Sequence, residues 1–205
     1  MISETTTRFG YLLRRVGKVR FNHASVALDE ELNECWSFAR RQYHAPLIFG
    51  LVKETMDRFT LHRFSDVQVL IFRIPVTEEQ YQGVRQMIAA IRQDDEYIYN
   101  LFSVLTFPLF KGFAIYKAYS CIEFTMNVIR QLKFTLDMPA CRYTPDDLIE
   151  FLSEYRYFEG NLLDYKKPSE RDEAYFQPIC FSQILQSGWN LLRLMKRSVF
   201  GSLGG

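Results

Sequence analysis

The segment VQVLIFRIPV (67–76) constrains the fold more than any other part of the chain. It is almost continuously apolar and rich in β-branched residues, the pattern of a central strand covered on both faces. The sequence around it supplies the cover. Thr77 and Gln80 form a capping box, with Val76 placed to staple against Tyr81, and Tyr81, Val84, Ile88 and Ile91 then recur at helical spacing. Ser120 and Glu123 form a second box, opening a stripe of Cys121, Phe124, Thr125, Val128, Ile129 and Leu132. Thr144-Pro145-Asp146-Asp147 is a third helix start, with proline at the first helical position and acids in the first turn. FNHASVALD (21–29) and ECWSFAR (34–40) read as two strands of a hairpin, LVKET (51–55) as a third, and GFAIYKAY (112–119) as a strand or extended lead-in. The basic stretch Arg8–Arg20 carries Leu12, Leu13 and Val16 on one stripe and predicts a short amphipathic helix. Strands and helices mixed in this way predict an α+β fold.

Composition narrows the function. The chain of 205 residues is 48% apolar and 16% aromatic, enough to bury a sizeable core. Lys and Arg number 25 against 24 Asp and Glu, a net charge of +1 that argues against nucleic acid as a partner. Cys35, Cys121, Cys141 and Cys180 show no paired spacing, and His23, His44 and His62 are scattered. No metal or other cofactor is therefore expected. The first residues lack the apolar run of a secretory leader, and no stretch of about 18 apolar residues occurs. A cytoplasmic protein with reduced thiols is expected.

The chemistry concentrates at Cys121. It sits just inside a capped helix, where the dipole and free N–H groups favour a thiolate and can also hold an oxyanion. A thiol nucleophile needs a base, and His23 on an alternating strand is the natural candidate. His44 falls in a loop, and His62 lacks a comparable frame. The competing interpretation is a small core cysteine and a merely hydrogen-bonded histidine. The acids of DEEL and TPDDL are explained by a turn and a helix first turn. There is no Gly-rich phosphate loop, GxSxG elbow or HExxH motif.

The strings FNHASVALDEELNECWSFAR, GLVKE, YNLF, YSCIEF, TPDDL and EGNLLDY together cover about residues 5–165. They resemble a group of bacterial proteins, the circularly permuted NlpC-like (YiiX-type) members of the papain-fold cysteine peptidase superfamily. In these the histidine strand precedes the cysteine helix. The resemblance implies a papain-like fold, a central antiparallel sheet packed on a Cys-bearing helix, with a Cys121 nucleophile and a His23 base. It also implies that Tyr99 and Asn100 line the site. The chain departs from the group at Ile122, where a small polar residue is usual. The residue that orients the imidazole depends on hairpin register. A three-residue turn at Asp29–Glu31 places Ser37 opposite His23, whereas a two- or four-residue turn brings Glu34 or Trp36 to that face. Ser37 is favoured, with Glu54 on the next strand second. Tyr97, Tyr116 and Tyr119 are further candidates to line a pocket, Tyr119 as a substrate contact.

The expected activity is hydrolysis of an amide bond in a peptide, a cell-wall fragment or a lipid amide. Thiol acyl transfer, as in the related lecithin retinol acyltransferase group, and an inactive binding module are the alternatives. Lack of a leader argues against direct action on an external cell wall. Residues 1–165 form the expected catalytic domain, and 166–205 a linker followed by a C-terminal amphipathic helix. That helix places Ile184, Leu185, Trp189, Leu192 and Met195 on one face, with Arg193, Lys196 and Arg197 late in the segment. Packing of the stripe or self-association is favoured over a peripheral membrane contact.

Overall fold

The computed structural model describes residues 1–5, 7, 10–11, 14–15, 19–45, 48–61, 66–167 and 171–200, excepting the side chains of 199 and 200. Nine strands and eight longer α-helices are named here among those residues. The strands are β1 (Ile2–Ser3), β2 (His23–Ala24), β3 (Val26–Ala27), β4 (Cys35–Arg40), β5 (Phe49–Glu54), β6 (Gln68–Phe72), β7 (Ile98–Tyr99), β8 (Ala118–Tyr119) and β9 (Arg156–Asn161). The helices are α1 (Met56–Thr60), α2 (Glu78–Gln93), α3 (Leu101–Phe110), α4 (Cys121–Gln131), α5 (Pro145–Phe151), α6 (Leu162–Tyr165), α7 (Glu173–Phe176) and α8 (Phe181–Phe200). The chain is thus mixed α and β. Gly10, Tyr11, Arg14 and Arg15 are helical, while Leu12, Leu13 and Val16 of the expected N-terminal stripe lie outside the described residues.

Two antiparallel sheets replace the single one expected. One has the order β2-β1-β6-β9 and the other β3-β4-β5, while β7 and β8 form a short parallel pair. The chain crosses between the two antiparallel sheets at Ser25, because β2 pairs with β1 and β3 pairs with β4. β6 lies inside its sheet as its apolar run requires, with Val69, Leu70 and Ile71 buried. It stops at Phe72, short of Pro75, a residue that cannot donate to a ladder. β9 pairs with β6 from Asn161 to Arg156, with a register shift that skips Tyr157, and it lacks the apolar alternation that marks a strand in sequence.

All three capping boxes form, at Thr77, Ser120 and Thr144. α2 buries Val84, Ile88 and Ile91 as its spacing predicts. α4 is more deeply placed than a one-sided stripe implies, since every residue from Cys121 to Ile129 is buried. Phe124 and Val128 pack with Trp36, Phe38, Val84 and Ile88, while Ile122, Met126 and Ile129 pack with Ile2, Phe21, Leu70 and Leu148. A helix sheathed this way cannot shift without disturbing two core clusters, so the position of Cys121 is fixed by burial.

The C-terminal stripe behaves against expectation. Ile184, Leu185, Trp189, Leu192 and Met195 are all exposed, Trp189 at 58%. α8 docks by its opposite face, where Leu194 is buried beside Ile98, Ile115 and Ala118. Arg197 locks the end by donating to the carbonyls of Glu96 and Tyr116. Those polar anchors, with the narrow Leu191–Leu194 edge, set the rotation of the helix and leave its broader apolar face uncovered. Within the stretch read as a linker, α7 packs back on the sheet region. Tyr175 is buried, Asp172 accepts from Thr55 Oγ1, and Tyr43 donates its N–H to the Tyr175 carbonyl.

Candidate active site

The site forms where the first turn of α4 meets β2 and the far end of β5. Ser120 ends an extended segment, accepts from the Glu123 N–H, and receives the Glu123 carboxylate on its own N–H. The reciprocal cap consumes the donors of Ser120 and Glu123. The N–H of Ile122 instead points at the Cys121 sulfur, as does that of Ala24 from β2. Cys121 is also in side-chain hydrogen-bonding contact with His23 and with the Tyr99 hydroxyl.

His23 Nε2 lies 2.9 Å from Glu54 Oε1, and both side chains are buried. The same Glu54 oxygen accepts from Ser37 Oγ at 2.6 Å, and Oε2 accepts from Arg58 Nε at 3.0 Å. Arg58 in turn lies 4.1 Å from the centroid of the Tyr175 ring and donates to the Arg40 carbonyl. A carboxylate so supplied with donors stays ionised. Burial alone would raise Glu54, but the His23 bond, the Arg58 charge and the Ser37 bond bring it down to about 2. Since an ionised carboxylate only accepts, His23 Nε2 carries a proton and donates, leaving Nδ1 as the ring nitrogen available to exchange a proton.

The electrostatics of the pair follow. Burial would lower His23, but its bonds to Cys121 and Glu54 and their charges raise it to about 10. Burial would raise Cys121, yet the His23 bond and charge, aided by the Ala24 and Ile122 N–H groups, hold it below its ordinary value. The favoured state is a thiolate beside an imidazolium. Burial, next to Cys121, pushes Tyr99 well up, so its hydroxyl remains a donor. Glu123 is raised to about 7 by burial, against the opposing bonds from Ser120 and Asn100.

A cleft of about 100 Å³ opens on this group, walled by Phe38, Phe49, Phe59, Tyr99 and Tyr175, with Arg40, Asn22 and Thr5 as polar lining. The structure therefore brings together Cys121, His23, Glu54, Ser37 and Tyr99. It reverses the order of the two orienting candidates: Glu54 touches the imidazole, and Ser37 holds Glu54. The hairpin turn and the crossing at Ser25 are the cause. Val26 pairs with Trp36 and Leu28 donates to Glu34, leaving a five-residue loop rather than three. The Asp29 carboxylate closes that loop by accepting from Asn33 and Glu34. The chain also leaves this sheet at Ser25, so His23 pairs with Ser3 of β1 and not with a residue of β4. Cys35 pairs with Glu54 in β5, which brings the carboxylate to the same end of the sheet.

The remaining candidates fall elsewhere. Asn100 is fully buried and structural: it accepts from the Ser103 N–H and donates to the Phe113 carbonyl. Tyr119 packs edge-on against Phe38, 5.5 Å between centroids, and is absent from the cleft wall. Tyr97 packs beside Tyr119, and Tyr116 is exposed. His44 is exposed against Tyr43, and His62 lies outside the described residues. All four cysteines are free thiols, Cys35 and Cys121 buried and Cys180 exposed. Sequence reasoning missed Arg58 and Tyr175. The i,i+4 spacing of Glu54 and Arg58 was the available signal for the first; nothing local marks the second.

Among the described residues, no three of His, Cys, Asp and Glu gather as a metal site requires. No helix among them is long and apolar enough to cross a membrane. No family model, curated protein or solved structure matches the chain.

Proposed function

We propose that this chain is a cysteine-dependent amide hydrolase of papain-like design, with the His-before-Cys order of the permuted NlpC-like group. The observation that carries the reading is the buried series Cys121–His23–Glu54, in which a lowered thiol and a raised imidazole face each other. The Cys121 thiolate attacks the amide carbonyl, forming an S–C bond. The Tyr99 hydroxyl and the backbone N–H of Cys121 hold the resulting oxyanion. As the C–N bond breaks, the His23 imidazolium gives its proton to the departing amine. Neutral His23 then takes a proton from water, the hydroxide displaces sulfur, and the acid leaves with Cys121 again a thiolate. Glu54, held by Ser37 and Arg58, keeps the ring oriented and stabilises its charged form.

The aromatic cleft wall favours an acyl group with apolar character among the peptide, cell-wall-fragment and lipid-amide substrates. Acyl transfer to an acceptor other than water uses the same thioester, and the apolar wall is the observation in its favour.

Alkylation with iodoacetamide across pH, with modified sites read by peptide mass spectrometry, tests the reading. Site resolution matters because exposed Cys180 also reacts. Cys121 is expected to react with an apparent pKa below 9.0, its ordinary value, and His23→Ala is expected to abolish that advantage. A Cys121 with ordinary thiol behaviour, indifferent to His23→Ala, overturns the enzyme reading and leaves a binding module.

A further inference from the structure

The outer face of α8 exposes a run of large apolar side chains. We infer that α8 lies on an anionic lipid surface, with its Trp189 face in the interface and Arg193 and Lys196 among the headgroups. The proposal concerns binding alone and stands whether or not Cys121 is catalytic.

Three observations carry it. First, Ile184, Leu185, Trp189, Leu192 and Met195 are each 49–60% exposed, and Phe181 reaches 73%. At 1.5 Å per residue, α8 presents this face over roughly 20 Å from Phe181 to Met195, too continuous for scattered surface apolar residues. Second, the charge on α8 has one sign. Arg193, Lys196 and Arg197 are its only charged residues, and all fall in its second half. Arg193 lies 5.7 Å from the Trp189 ring centroid, so a guanidinium is held beside an indole, a pairing suited to the boundary between headgroups and acyl chains. Third, the neighbouring helix extends the same chemistry. α3 lines a shared groove with α8 at Leu101, exposes Leu105, Leu109 and Phe110, and has no charged residue before Lys111.

Charge selects the occupant. A second copy seated face to face on α8 would offer no acid to Arg193 and Lys196, because α8 contains no Asp or Glu. An anionic bilayer complements the cations and accepts the apolar face without demanding shape complementarity. α8 is no spanning helix, so the contact is peripheral.

Co-sedimentation of the full chain with phosphatidylcholine vesicles, with and without phosphatidylserine, tests the proposal. Binding is expected to be at least about tenfold stronger with phosphatidylserine and to weaken as salt is added. Trp189 emission should shift to the blue on binding, whereas Trp36, already buried, should contribute little change. Leu192→Ser with Met195→Ser should weaken binding while preserving the Trp189 reporter. Arg193→Glu with Lys196→Glu should remove the preference for the anionic vesicles. Circular dichroism and thermal unfolding show whether each variant remains folded. Equal, negligible binding to both vesicles with unchanged emission overturns the proposal. So does a wild-type dimer in sedimentation equilibrium that Trp189→Ser dissociates, because the face then belongs to a second copy.

Discussion

The polar cluster behind His23 and the outer face of α8 break the usual partition of side chains in opposite directions. In the first, a carboxylate, an imidazole and a hydroxyl are buried; in the second, a tryptophan and four large aliphatic side chains are left in water. The buried group has its partners inside the protein: Glu54 receives bonds from His23, Ser37 and Arg58. The exposed group has its apolar partners nowhere in the described chain. Exceptions satisfied internally point to chemistry, and exceptions unsatisfied internally point to something outside.

The contrast can be broken most sharply at the sulfur. If a hydrolysable amide is found, Cys121→Ala should reduce turnover on the order of 10⁴-fold or more, and His23→Ala by a similar factor, because the two act as a unit. Steady-state kinetics against that substrate checks both, and a double variant no worse than either single one would sharpen the point.

Stability should respond next. Glu54→Ala leaves His23 and the Arg58 guanidinium without their shared acceptor, a loss of roughly 3–5 kcal/mol in denaturant unfolding. The pH dependence follows from the same bonds. Glu54 lies near 2 when folded against 4.5 ordinarily, so its contribution is full above pH 4.5 and is lost as pH falls through 2. His23 lies near 10 against 6.5, so its contribution is full below pH 6.5 and is lost as pH rises through 10. Glu123, near 7 against 4.5, also favours the folded state on the acid side and loses that contribution between those values. Thermal unfolding across pH should therefore show the highest stability near pH 4.5, a decline below it from Glu54 and a decline above it first from Glu123 and then from His23, and Glu54→Gln should flatten the acid limb.

Smaller effects separate the two faces of α8. Leu194→Ala, on the buried face, should cost about 2–3 kcal/mol, while Trp189→Ala, on the exposed face, should stay within about 0.5 kcal/mol in the absence of lipid. Ser37→Ala falls between, at about 1–2 kcal/mol, by removing the 2.6 Å bond to a buried carboxylate. Equal costs for Leu194 and Trp189 would erase the distinction between the faces.

Local signals were legible where the physics is local. The caps at Thr77, Ser120 and Thr144 depend on side chains three residues apart, and each formed as written. The juxtaposition of Cys121 and His23 was legible through helix-cap chemistry and resemblance. What was hidden depends on distant contacts. The hairpin loop length rests on Asp29 accepting two N–H groups, which alternation does not encode. The choice between Ser37 and Glu54 depended on that register. The facing of α8 turned on Arg197 finding the carbonyls of Glu96 and Tyr116, 101 and 81 residues earlier in the chain, and Tyr175 reached the cleft from a segment that reads as polar linker.

The crossing at Ser25 carries a mechanical consequence. Residues 23–27 belong to two sheets, two residues to each, with the single residue Ser25 between them. The Ser25 carbonyl is tied to the Met1 amino group, and its hydroxyl lies 3.4 Å from His23 Nε2. Any shear of one sheet over the other must therefore pass through the residue two places from the imidazole. The histidine rides on the coupling between the two halves of the framework, so its alignment reports whether they are in register.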